Sequence, residues 1–277
     1  PSAWAPKRDA LLKLPFSARG FVRLVLGSAE ELKVDRAGRV LIPAGLRELA
    51  GLEREAALVG WGDHFELWDR ARLTAAEAKA MLADPLMILV NHTNQMPENY
   101  TFETAECGSK TAVNKTLQTV ACNAFLELQK AAAAENVTVW MQSGYRSVSY
   151  QTNLYEKKTN YYKQQGYDDA KAKEMAAAIV NPPGYSEHNC GLAADLNSPE
   201  HTGLDEGFEN TAAFRWLCQH AGEYGFILRY PKGAEEKTEI TYEPWHWRYV
   251  GVENAAKINA SGLCFEDYIA ALQQIAG

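Results

Sequence analysis

The chain has 277 residues, 47% hydrophobic and 23% charged, which leaves room for a full core and two domains and excludes disordered or collagen-like material. Its net charge of −7 is uneven, because residues 1–85 hold 13 basic and 12 acidic side chains and the remainder 15 and 23. The larger part is therefore acidic, which argues against nucleic acid as its partner.

Short β-like runs open the chain: Phe21–Leu26, Leu32–Val34, Val40–Ile42, Ala57–Val59 and Phe65–Trp68, separated by Gly and Asp turns, with a short helix at Ala44–Leu49. The spacing then predicts a helix over Ala71–Leu82 with Thr74 as a cap, ended by Asp84-Pro85. The domain boundary is placed there, giving parts 1–83 and 84–277. Further on, Leu117, Val120, Ala121, Ala124, Phe125 and Leu128 recur at helical spacing, and Val137–Trp140 reads as a strand leading to a loop with Arg146. Helices follow at Tyr150–Gln164 and Asp168–Ile179, stopped by Pro182-Pro183-Gly184. A helix at Thr211–Tyr224, strands at Phe226–Tyr230 and His246–Val250, and helices from Glu253 and Phe265 complete the chain. The mixture indicates an α+β fold, a small antiparallel sheet with helices packed on it.

No apolar run approaches the roughly 18 to 20 residues that cross a bilayer. The start, Pro1-Ser2-Ala3-Trp4, has neither the basic nor the apolar region of an export leader. Five scattered cysteines, Cys107, Cys122, Cys190, Cys218 and Cys264, lack metal-knuckle spacing. Free buried thiols are expected, with a Cys107–Cys122 or Cys218–Cys264 bridge as the alternative in an oxidising compartment.

The chemistry concentrates in Ser186-Glu187-His188-Asn189-Cys190-Gly191-Leu192-Ala193-Ala194-Asp195 and in Glu243-Pro244-Trp245-His246. A catalytic zinc takes three protein ligands and leaves one position for water, whose pKa falls to about 7. His188, Asp195 and His246 can fill the three places, for one zinc per chain. Glu243 can act as general base if the chain there turns back toward the metal. Gly191 and Ala193 are expected to let the backbone pass close to the metal. Against this stand blander roles: a capping Asp195, a Glu243 that only orients His246, an Arg146 paired with a surface acid. His64, His92, His201 and His220 are read as structural or exposed.

Together, Ser-x-His-x-x-Gly-x-Ala-x-Asp and Glu-Pro-Trp-His-Trp-Arg-Tyr-Val-Gly resemble the signature of the VanY-type D-alanyl-D-alanine carboxypeptidases. Ser143-Gly144-Tyr145-Arg146-Ser147, Pro183-Gly184-Tyr185-Ser186 and Tyr224 to Pro231 resemble further blocks in family order, from about Asp84 to the C-terminus. The resemblance implies a Hedgehog/DD-peptidase-like zinc peptidase domain with ligands His188, Asp195 and His246 and catalytic carboxylate Glu243. It also implies that Arg146, Gln151, Ser186 and Tyr230 bind the terminal D-alanine or its scissile carbonyl. The implied partner is a peptidoglycan stem peptide ending in D-Ala, cut after a D- or an L-configured centre. Leu86–Asn91 resembles the family's opening strand, and Thr238-Glu239-Ile240 departs from the Thr-Gly-Ile common in relatives.

Val34 to Ala44, continuing through Gly51-Leu52 to Phe65–Trp68, resembles the second repeat of MraZ, an AbrB-like transcription regulator built on β-hairpins. That resemblance implies DNA contact through residues 35–47, with Arg36, Arg39 and Arg47 otherwise a solvated hairpin face. It also implies a cytoplasmic setting, whereas the peptidase family is usually extracytoplasmic. Alternative readings are thus a DNA-binding regulator with a passenger peptidase domain, and a zinc-bearing domain that grips wall peptide without cutting it.

Overall fold

A computed structural model of the chain describes residues 42–50, 52, 56–61, 64–110 and 112–277. The chain divides into two compact units, 1–75 and 76–277. In the first, helix α1 (Ala44–Ala50) precedes strands β1 (Ala56–Trp61) and β2 (His64–Asp69), which pair antiparallel from Ala56 opposite Asp69 to Trp61 opposite His64. These are the helix and last two strands expected there; Phe21–Leu26 and Leu32–Val34, residues 35–41, and Ala71 to Leu73 as side chains lie outside what is described. Helix α2 (Arg70–Ala83) contains the division between the units. Its later turns give Ala78 and Met81 to an apolar cluster of the second unit with Ile258, Phe265 and Ile269.

The second unit is built on a four-stranded antiparallel sheet ordered β5 (Trp140–Ser143), β6 (Ala193–Asn197), β8 (His246–Tyr249), β7 (Phe226–Leu228). The chain enters it through a small pair, β3 (Thr104–Glu106) and β4 (Thr116–Gln118), then helix α3 (Thr119–Ala134). Both central strands are buried along their length, so each face must be covered, and period-two alternation sorts them. Ala194, Leu196, Trp247 and Tyr249 pack with Phe125 and Leu128 of α3. Asp195, His246 and Arg248 take the opposite face.

Register places Ser143 opposite Asp195 and Asp195 opposite His246, one rung across three strands. The rung exists because β5 carries an irregularity between Met141 and Ser143, the extra residue being Gln142. Helices α4 (Val148–Gln164) and α5 (Asp169–Ala177) form a pair capped by Ser147 and Asp168, whose side chains accept from Tyr150 N and Lys171 N. Helix α6 (Ala212–His220) begins at a Thr211 cap, and α7 (Glu235–Thr238), α8 (Val252–Ser261) and α9 (Phe265–Ala276) follow.

Two expectations are corrected. Leu86–Asn91 is not a strand: Asp84 Oδ1 accepts from Leu86 N and starts a tight turn at Pro85–Met87. The carbonyls of Leu86 and Ile88 then accept from the Arg248 guanidinium at 2.8 Å each, in place of a neighbouring strand. The strand before the Arg146 loop is Trp140–Ser143, later than Val137–Trp140, because Val137 still bonds back to the end of α3. All five cysteines are free, Cys107, Cys122 and Cys190 buried. Among the described residues no helix is long and apolar enough to cross a membrane.

Candidate metal centre

Asp195 and His246 come from adjacent central strands, and His188 from the tight turn Glu187–Cys190 that feeds β6. One ligand atom of each lies within 4.8 Å of the others, and all three residues are buried. His188 Nε2 and His246 Nδ1 both stand 3.3 Å from Asp195 Oδ1. On the outer side, His188 Nδ1 lies 2.8 Å from the carbonyl of Gly144, which accepts its proton and leaves Nε2 as the donor atom. Gly144 is required there, since a Cβ would meet the Thr116 carbonyl oxygen at 2.3 Å. Gly191 serves a different end from the one expected. At φ 70° it closes the His188 turn, and a Cβ would strike the Phe102 ring at 2.8 Å, so its constraint comes from packing and not from the metal.

The turn from Glu243 to His246 folds back, as the base assignment requires: His246 N donates to the Glu243 carbonyl, and Glu243 Oε2 lies 3.4 Å from His246 Nδ1. Burial raises the Glu243 carboxyl above the usual range against the pull of His246. Asp195 is held well below it despite burial, by His188 and Arg146. His188 is lowered to about 4 by burial, with Arg146 adding to it, and so presents a neutral imidazole. His246 goes the other way: against the cost of burial, the carboxylates of Asp195, Glu187 and Glu243 raise it to about 10. A site that holds one imidazole neutral and draws a positive charge onto the other, between anions, suits a divalent cation. Two imidazoles and one carboxylate are a donor set of catalytic zinc.

A cleft of about 430 Å³ opens over His188, Asp195 and His246, bordered also by Glu243, Arg146, Gln151, Ser186 and Tyr230. Arg146 Nη2 donates to Asp195 Oδ2 at 2.6 Å, so this guanidinium also fixes the ligand carboxylate. Gln151 is fully buried, its Nε2 donating to the Asn181 carbonyl at 2.7 Å while its Oε1 has no partner. The buried Tyr230 hydroxyl likewise has none. Its ring packs 4.7 Å from that of His246. Ser186 is buried at the rim and makes no cap bond.

Sequence reading assigned no role to Glu187, Arg229, Arg248 or Glu266. Glu187 Oε1 accepts from Arg229 Nε at 2.8 Å and Arg248 Nη1 at 2.7 Å, all three side chains fully buried. Arg229 also forks onto Glu266 of α9 at 2.8 and 2.5 Å. Glu187 stood inside the motif, but its partners lie 42 and 61 residues away. An acid between Ser186 and His188, with one arginine just after β7 and another on β8, was the available signal.

A donor set of this kind, on a small antiparallel sheet backed by helices, is that of a zinc peptidase domain. Residues 114–252 match the family described as VanY: D-alanyl-D-alanine carboxypeptidase, and the chain belongs to that family. A D-alanyl-D-alanine carboxypeptidase of Enterococcus faecalis (strain ATCC 700802 / V583) is 37% identical over 186 residues, 66% of this chain and 65% of the relative. The chain thus spans just under two thirds of that relative's length. Among solved structures, a variant of the vancomycin resistance D,D-pentapeptidase VanY in complex with Zn(II) is similar at 37% identity and TM-score 0.57, covering 66% of this chain and 98% of that one. The LdcB LD-carboxypeptidase is similar at 33% and 0.58, covering 67% and 86%. Residues 25–86 match the family of the MraZ protein.

Proposed function

We propose that the chain is a zinc-dependent carboxypeptidase that removes the C-terminal D-alanine of peptidoglycan stem peptides. The observation that carries this reading is the convergence of His188, Asp195 and His246 with the Glu243 carboxylate beside them in one cleft. The D,D- and LD-carboxypeptidase relatives support the substrate class. Zinc, when bound by those three side chains, supplies Lewis acidity that activates water near neutral pH and polarises a carbonyl.

The chain's own groups account for the rest. Arg146 keeps guanidinium hydrogens beyond those given to Ser143 and Asp195 and offers them to the substrate's free carboxylate. Glu243 accepts a proton from the attacking water as its oxygen bonds to the scissile carbonyl carbon. It then gives that proton to the departing D-alanine nitrogen as the C–N bond breaks, and its raised affinity for a proton suits both halves. The unpartnered Tyr230 hydroxyl is a donor for the oxygen that gains charge, while Gln151 and Ser186 line the space for the terminal residue.

Synthetic tetrapeptide and pentapeptide stems, with and without chelator, test this by mass spectrometry. Loss of one alanine from either, abolished by chelator, is expected. Glu243→Ala is expected to keep its zinc and lose hydrolysis by about 10²-fold or more; a variant that still turns over the peptides removes the base assignment. The MraZ match supports a second reading for residues 35–47, contact with DNA, for which affinity must fall steeply with salt.

A further inference from the structure

The two imidazoles of the centre are held by different devices. His188 gives its outer nitrogen, Nδ1, to a backbone carbonyl at 2.8 Å. His246 must be the mirror case, since its Nδ1 faces Asp195 and its Nε2 points away from the cluster. There Glu187 Oε2 stands 3.6 Å away, just beyond hydrogen-bond length, and neither atom has a hydrogen-bond partner. Both residues are buried, so each polar atom has only the other to offset its loss of water. Glu187 cannot drift, because its other oxygen is gripped by two buried guanidiniums.

We propose that Glu187 is the positioning residue of this centre: with Oε1 anchored by Arg229 and Arg248, its Oε2 faces the Nε2–H of His246 and so keeps Nδ1 turned toward the metal. The anchor reaches further. Arg229 is forked onto Glu266 of α9, and Arg248 is tied to the carbonyls of Leu86 and Ile88. These outer ties lie at 86–88 and 266, beyond the family match at 114–252. Segments on both flanks of the family core therefore set the angle of one ligand ring. Glu266 never touches the cluster, yet it holds the arginine that holds the acid.

The inference rests on the zinc site proposed above, and the experiment separates the two. Zinc affinity of the full chain is measured by chelator competition, together with the visible spectrum of the cobalt-substituted protein and the imidazole ¹⁵N shifts of the zinc form. If the wild type takes up no zinc, the site reading fails. If it does, Glu187→Gln is expected to bind about 10- to 100-fold more weakly with an altered cobalt spectrum. The amide nitrogen would then face His246 Nε2 and favour the tautomer with a proton on Nδ1. Glu266→Gln should shift both readouts in the same direction by less. Unchanged affinity and spectrum in a folded Glu187→Gln overturn the proposal. Should that variant not fold, the wild-type ¹⁵N pattern decides: one ring bound through Nδ1 with a protonated Nε2 supports it, and both rings bound through Nε2 overturn it.

Discussion

His246 is the imidazole of the centre that its charged neighbours push toward the protonated form. Buried, yet facing three carboxylates, it is raised to about 10, so the metal-free chain holds a proton there across the physiological range. Zinc must displace it, and uptake near pH 8 is expected to release about one proton per chain. Calorimetry in buffers of different ionisation enthalpy checks this, and apparent affinity should climb as pH rises from 7 toward 10. For stability the sign runs the other way. A raised pKa means that this imidazole's contribution to the metal-free fold is complete below about 6.5 and is lost as pH rises toward 10. Thermal unfolding of the metal-free protein should show that decline, and its zinc form should not. Arg146→Lys keeps a charge but loses the fork. It is expected to raise KM for D-Ala-ended peptides about tenfold, some 1.4 kcal/mol, with weaker zinc binding because Asp195 Oδ2 loses its partner. The clustering of His188, Asp195 and His246 was legible because each sits in a short motif. Glu187 was not, since an acid reads as functional only once its distant partners are known.

Among the elements, Glu239 explains the departure from Thr-Gly-Ile. It ends α7 at φ 57°, a left-handed position that glycine occupies without strain. Its carboxylate lies 3.5 Å from His92 Nδ1 but is 54% exposed, so that pair contributes little. Glu239→Gly should therefore stabilise the protein by about 1 kcal/mol, raising Tm by roughly 2–4 °C; an unchanged or lower Tm would show that the His92 contact outweighs the strain. Helices with clear apolar spacing, such as α3 and α9, lie where that spacing placed them, α9 starting at Phe265 as expected. The β3–β4 pair was missed because three-residue strands hold too little alternation to register. Leu86–Asn91 read as a strand because an apolar run does not reveal that its carbonyls are claimed by an arginine.

At the scale of the molecule, the predicted boundary at 83/84 and the division at 75/76 have different consequences. Ala78 and Met81 are buried in the second unit's cluster, and Asp84 Oδ2 accepts from Asn254. A chain begun at residue 76 should keep peptidase activity and stability, whereas one begun at 84 should lose about 2–4 kcal/mol through the exposed cluster, as chemical denaturation would read. That the two parts resemble different families was legible in the order of their residues. How α2 is shared between them was not, because its sequence is helical on either side of the division.

The irregular step at Gln142 has one more implication. It is the point at which the edge strand gains a residue, and only that offset sets Ser143 across from Asp195 and aims the following glycine carbonyl at His188. Without the irregularity, the residue after Met141 in the ladder would be Gln142, and it would stand opposite Asp195 in place of Ser143, so the bulge decides which side chain and which carbonyl reach the centre.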